Sequence, residues 1–274
     1  MSTLIYAARD STTMLRRDIR HAVRFPMATL SGVMVPVIFL LLFAGVFGNT
    51  FRAGLAAAIP AGGSYIDYLV PGIILMTACS TAEMTALNVS TDMTEGIIAR
   101  FRTMAITRTS VLTGQVLGGL IRAMISVVLV IAVALALGFR TSASATDWIK
   151  AAALYALLAV AVTWLTVSFG LLAKTPAGAN SFSLIVVMAS FISSAFVPTA
   201  TMPAGIAWFA HNQPFTPIIQ TLRGLLAGTP IGNDAILAIT WCVAIGVFSY
   251  LWARVTCGPA ASTTAIVPNH DRTT

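Results

Sequence analysis

The sequence predicts an all-α polytopic membrane protein with six transmembrane helices, and three observations carry that prediction. Residues 25–51 and 151–173 contain no Asp, Glu, Lys or Arg, and about 20 apolar residues at 1.5 Å each cross a bilayer's hydrocarbon core. Hydrophobic residues make up 57% of the chain and charged residues only 9%, against about 25% charged in soluble domains. The Lys and Arg residues between the apolar stretches crowd onto alternate segments, as positive-inside topology requires. Backbone amides in lipid must be satisfied within the segment, so the stretches are helices.

The elements follow in order. Residues 1–26 form a cytoplasmic N-terminal segment whose stretch 12–24 is an amphipathic interfacial helix. Met14, Leu15, Ile19, Ala22 and Val23 share one stripe, while Arg16, Arg20 and Arg24 repeat every fourth residue beside Arg17. Such a helix lies at the headgroup boundary with its arginines on anionic lipid. A docking role and a bare positive-inside flag both fit it. No signal peptide is expected, because the arginines precede an apolar run too long for an h-region. Pro26 marks the turn into a six-span domain over 27–256. The spans fall at about 27–48, 66–90, 113–138, 148–172, 180–198 and 235–255. Residues 257–274 are a cytoplasmic tail. Eleven Lys and Arg on one side face four on the other, which places both termini in the cytoplasm.

The loop between spans two and three carries a short helix at about 94–106. Ile97, Ile98, Phe101, Met104 and Ala105 follow the helical stripe, and Arg100, Arg102 and Thr103 occupy the rest, after Glu95 and Gly96. One greasy stripe on the inner face either rests on lipid or enters a groove on another protein. Between spans five and six, Pro198, Pro203, Pro214, Pro217 and Pro230 forbid one continuous helix over 198–233. Ile218, Ile219, Leu222, Leu225 and Leu226 form a stripe ending near Gly228, with Pro217 opening the helix and Trp208 and Phe209 suited to the interface belt. A re-entrant or surface-lying helical pair closing the outer face is expected there.

Two charged residues fall well inside spans, away from their ends. Glu83 and Arg122 both lie ~14 Å from the cytoplasmic boundary at 1.5 Å per residue. Their spans run antiparallel through a short loop, so the pair is expected to meet or to share a hydrated cavity, since an unpaired charge at that depth costs at least ~2.5–3.5 kcal/mol. A polar element of a transport path and a buried pair that only fixes register are both compatible. Asn88 adds polarity to the same span, and Gly114 and Gly118 permit close helix packing in span three. Cys79, Cys242 and Cys257 show no metal-ligand spacing and read as small core residues. No G-x-x-x-x-G-K-[S/T] loop or H-E-x-x-H motif occurs, so neither a bound cofactor nor a catalytic role is expected of this chain. The net charge of +7 flanks apolar spans and suits an anionic membrane face rather than nucleic acid.

The run Glu95-Gly96-Ile97-Ile98-Ala99-Arg100-Phe101-Arg102, followed by Thr107 to Gly114, resembles the signature of ABC type-2 export permeases, closest to the daunorubicin/doxorubicin-resistance permease group. Ser194-Ala195-Phe196-Val197-Pro198 with Thr201-Met202-Pro203 is a second match, and Asn212-Gln213-Pro214-Phe215-Thr216-Pro217 running to Leu222-Arg223 is a third. Ile106 departs from the pattern, where many relatives place a proline. The resemblance implies a half-transporter that pairs with a second copy of itself and engages two copies of an ATP-binding subunit holding ATP and Mg. It makes the helix at 94–106 a coupling helix and the helix at 12–24 an interfacial helix touching the ATPase. It also puts spans one and five at the dimer interface and spans two and five along the path. It implies export of a hydrophobic or amphipathic compound from a bacterial cytoplasmic membrane. An ion-coupled secondary carrier and a non-transporting membrane scaffold are the rival classes, separated by energy source.

Overall fold

The computed structural model describes residues 26–46, 64–94, 108–173, 175–197 and 202–256. Among them every regular element is a helix: α1 (Pro26–Leu41, continued by a π-helical turn Leu42–Val46), α2 (Tyr65–Thr94), α3 (Arg108–Ala136), α4 (Ala145–Leu172), α5 (Pro176–Phe191), α6 (Ala204–Asn212), α7 (Phe215–Ala227) and α8 (Asp234–Thr256). Local chemistry sets the starts. The Ser64 amide donates to Asp67 Oδ2 at 2.9 Å ahead of α2. A reciprocal capping box between Ser144 and Asp147 opens α4. Thr175 Oγ1 accepts from the Gly178 amide before α5, with Pro176 at the first position. Gly228, at φ 66°, ends α7 in the left-handed conformation.

The helix α2 is the hub. It packs against α1, α3, α4, α5 and α7, while α8 lies outside against α4 and α7. Leu69, Val70, Ile73, Leu75 and Met76 of α2 are fully enclosed together with Leu158 of α4 and Ile218, Ile219 and Leu222 of α7. The apolar side chains left uncovered lie mostly on α1, α3, α5 and α8, among them Ile38, Val128, Ile185 and Phe248. In a membrane that exposure costs nothing, because lipid tails are as apolar as the side chains.

Four helices, α2, α3, α4 and α8, are long and apolar enough to cross a membrane, and they sit where spans two, three, four and six were expected. The first and fifth stretches form shorter apolar helices, Gly32–Gly45 and Ala177–Phe191. The fifth is displaced from the expected 180–198. Thr175 and Pro176 start it earlier, and it stops at Phe191 because residues 192–197 leave the helix for a turn in which Ser193 bonds back to Ser190. The 16 residues of α5 rise ~24 Å, short of a ~30 Å hydrocarbon core. The helical pair expected over 198–233 is present as α6 and α7, and the whole stripe Ile218, Ile219, Leu222, Leu225 and Leu226 is buried. The helix opens at Phe215, with Pro217 inside its first turn rather than at its first position. Cys79 and Cys242 are buried members of the core, as expected.

Close approach to α2 is made through glycine. A Cβ at Gly72 would lie 2.7 Å from the Ala195 Cβ and 2.8 Å from the Ala195 carbonyl oxygen. Gly72→Ala is therefore expected to push the 192–197 turn off α2 and cost ~1–3 kcal/mol, read as a lowered unfolding temperature in detergent. Gly205→Ala, where a Cβ meets nothing within 4 Å, should leave that temperature unchanged.

Candidate functional site

Polar groups on α2 fall into three levels. At the Tyr65 end, Arg223 of α7 reaches across the bundle. Its guanidinium lies 3.8 Å above the Tyr68 ring and donates to the Tyr68 carbonyl at 3.2 Å, the Ser194 carbonyl at 3.0 Å and Gln220 Oε1 at 3.1 Å. The Tyr68 hydroxyl donates to the same Ser194 carbonyl at 3.1 Å. This knot ties α2, α7 and the turn after α5 together beside Gly72. The α3–α4 loop adds two ties: the Arg140 amide donates to Asp67 Oδ1 at 3.0 Å, and Thr141 Oγ1 donates to the Leu226 carbonyl at 2.7 Å.

In mid-helix, Thr77, Thr81 and Thr85 are buried, and each hydroxyl donates to a carbonyl one turn back on α2. Neighbours approach this seam closely. Thr166 Oγ1 of α4 donates to the Ala82 carbonyl at 3.0 Å, and a Cβ on Gly119 of α3 would stand 2.8 Å from Thr85 Oγ1. At the Thr94 end, Gln115 Nε2 donates to Asp92 Oδ2 at 2.6 Å, bracing α2 against α3 on either side of the loop between them.

Beside the seam a groove of about 410 Å³ opens between α1, α2 and α5. Its α2 wall is Met76, Ser80, Glu83, Met84 and Leu87, spaced as one helical stripe. Asn180, Leu184, Val187, Met188 and Phe191 repeat that spacing on α5, and Gly32, Val35 and Phe39 complete the wall on α1.

Arg122 and Glu83 occupy the same level, as their depths required, but on different faces of α2. Arg122 Nη2 donates to Thr85 Oγ1 at 3.2 Å, whereas Glu83 looks into the groove. At ~100° per residue, two positions along a helix are ~200° apart, so Thr85 and Glu83 point nearly opposite ways. No described contact joins the pair. Asn88 is exposed on α2. The remaining site residues read from the sequence, Arg16, Arg17, Arg20, Arg24, Glu95, Gly96, Ile97, Ile98, Arg100, Phe101 and Met104, lie outside the described residues. Sequence reasoning counted Arg223 among the charges of the outer side and quoted it in the third motif block without giving it a role. The signal available was its position at the end of the third motif block.

A helical bundle with four helices long and apolar enough to span a bilayer, built around an enclosed polar one, fits a polytopic membrane protein. Residues 10–227 match the ABC-2 type transporter family, and the chain belongs to that family. It is 26% identical over 253 residues to the daunorubicin resistance ABC transporter permease protein DrrB1 of Streptomyces coeruleorubidus, covering 91% of this chain and 86% of that protein. It is 22% identical over 219 residues to the probable doxorubicin resistance ABC transporter permease protein DrrC of Mycobacterium tuberculosis, covering 80% of this chain and 77% of that protein. The putative transport permease ycf38 of Porphyra purpurea is 26% identical over 238 residues, 85% of this chain and 79% of that protein. Such homologues are ABC permease subunits rather than ATPases.

Arg223→Met removes three hydrogen bonds and a cation–π contact from a largely buried site. It should cost ~2–4 kcal/mol, read as thermal destabilisation in detergent, with Arg223→Lys intermediate because it keeps the charge and loses the fork. Lys150→Ala, which breaks an exposed pair with Asp147 at 3.3 Å, should be silent. In a double-mutant cycle, Glu83→Gln and Arg122→Gln are expected to add, as for residues with no shared partner. A coupling above ~0.5 kcal/mol would contradict the separation of their faces.

Proposed function

We propose that this chain is the membrane-spanning subunit of an ATP-driven exporter that moves a hydrophobic or amphipathic compound out of a bacterial cell. The observation that carries the reading is the groove between α1, α2 and α5, apolar on three walls and holding an acid midway along α2, in a chain of the ABC-2 type transporter family. The names of the relatives, daunorubicin and doxorubicin resistance permeases, support an amphipathic cargo.

In this reading two copies pair through α1 and α5, whose uncovered Met34, Ile38, Phe182 and Ile185 offer a shared apolar face beside the groove. All six apolar stretches cross the bilayer, the two short helices included, with both termini in the cytoplasm. Residues 94–106 form the coupling helix, seated through Ile97, Ile98, Phe101 and Met104 in a groove of a separate ATP-binding subunit, with Glu95, Gly96 and Arg100 at its rim. Arg16, Arg17, Arg20 and Arg24 hold the interfacial helix to anionic lipid. The Asp92–Gln115 brace fixes the stems of the α2–α3 hairpin next to the coupling helix. The pair α6 and α7 closes the outer face, knotted to α2 through Arg223. ATP and Mg bind the partner subunit, and its closure shifts the population between inward-open and outward-open states. Glu83, Arg122 and Asn88 supply polarity along the path. Glu83 is also the observation that favours a second reading, a carrier driven by an ion gradient.

Purification of the full chain from its native membrane in mild detergent tests the proposal. An ATP-binding subunit should come with it at near one-to-one, and Phe101→Asp should abolish that recovery while leaving the chain in the membrane, because a charge enters an apolar groove. Recovery unchanged by Phe101→Asp overturns the coupling-helix assignment. No ATPase under several gentle conditions overturns the exporter.

A further inference from the structure

We propose that a slot between α3 and α4 holds the end of a phospholipid acyl chain. The site requires only that these two helices cross the bilayer, which their length and apolarity allow, and it does not depend on the exporter reading. The helices part along two facing stripes, from Met124 to Ile131 on α3 and from Trp148 to Tyr155 on α4, each lining the slot at i, i+3, i+4 and i+7. Ile74 of α2 and Leu222 and Leu226 of α7 close it at the back, and all three are buried. The rim is open: Val128 is 61% exposed, and Ala152 opposite is exposed as well. The slot therefore runs from the side of the bundle into its core, with a volume of about 130 Å³.

Its chemistry excludes water and fits hydrocarbon. Every lining residue is apolar or aromatic. The one hydroxyl among them, on Tyr155, is engaged, donating to the Ala123 carbonyl at 3.1 Å. An apolar cavity of ~150 Å³ stays dry and admits small hydrocarbons, since a water inside would forgo its hydrogen bonds. Left empty, the lining loses its dispersion contacts. The surroundings of the rim decide the occupant. Ile125, Leu129 and Ile149 are exposed beside it, so the neighbour is the hydrocarbon of the bilayer. Counted from the cap at Ser144, Trp148 and Tyr155 lie ~6 Å and ~16 Å along α4, which matches the ~15 Å chain region of one leaflet. Arg140, exposed in the loop beyond α3, supplies a cation at the level of a lipid phosphate. The tip of the chain then rests on Leu222 and Leu226, next to the Arg223 knot and to the carbonyl that Thr141 holds.

The test uses the full-length chain purified in glyco-diosgenin, a detergent whose rigid polycyclic body does not enter the slot. Phosphatidylglycerol with a photoreactive diazirine in its acyl chain is titrated in, and labelled peptides are mapped by mass spectrometry. The exposed face of α8 at Val247 and Phe248 reports ordinary contact with lipid. Slot residues should label saturably and severalfold above α8 at low lipid, where α8 labels in proportion to the lipid added. Ala152→Phe and Val128→Phe, which plug the rim from either side, should each abolish slot labelling and leave α8 labelling unchanged. Ile149→Phe, outside the slot, should alter neither. Slot labelling that only tracks that of α8, or that survives both plugs, overturns the site. Absence of slot labelling, the result expected where another protein surface covers the rim, overturns it too. The titration itself needs no variant, so it decides the matter even where a plugged chain fails to fold.

Discussion

Lipid offers no hydrogen bond to a backbone amide or a hydroxyl, and that constraint puts the most polar of the long helices in the middle of this protein. The least apolar of the four long helices is the most enclosed: α2 has a mean hydropathy of 1.3 with 83% of its window buried, against 2.0 and 17% for α8. In water the order would be reversed, with the greasiest helix innermost. Everything else packs around that hub, because α1, α3, α4, α5 and α7 all have to cover it.

Enclosing a polar helix requires that its hydroxyls be satisfied without water. Thr77, Thr81 and Thr85 solve this within α2 itself, each donating to a carbonyl a turn earlier. The face they occupy can then be packed tightly, as Gly119 does against Thr85, and other faces of α2 are approached as closely by Gly170 at the Ala86 carbonyl and through Gly72 at Ala195. Membrane helices without a hydrophobic drive to associate rely on such close backbone approach. Glu83 is outside this arrangement. It cannot bond back to its own carbonyls as a carboxylate, and it sits on the one face of α2 left to a groove.

Much of this was legible in the sequence, and the failures have physical reasons. Long apolar runs located all four full-length helices to within a few residues, because a run's length is decided by bilayer thickness. The helix at 176–191 was displaced because hydropathy continues past Phe191 while Ser193 and Ser194 turn the backbone. The depth of Glu83 and Arg122 could be counted along the chain, but their faces depend on helix rotation, which no count supplies. Gly114 and Gly118 drew notice by spacing, whereas the close approach to Thr85 falls at Gly119, one residue on. Arg223 was read as a surface charge, since a knot of carbonyls and a tyrosine ring drawn from three separate elements leaves no local pattern.

The three polar levels of α2 are linked by its stiffness. One continuous helix of 30 residues carries the Arg223 knot near Tyr68, the groove at Glu83 and the Gln115 brace at Asp92. A displacement applied at the Thr94 end reaches the groove through uninterrupted helical hydrogen bonds. Beyond the groove it meets Pro71, which lacks the amide to continue that ladder and lies next to the Gly72–Ala195 contact. The knot is therefore attached to α2 on the far side of its weakest turn. The geometry lets the groove wall move with the α2–α3 hairpin while the Tyr65 end stays tied to α7, so widening the groove does not by itself require breaking the bonds of Arg223.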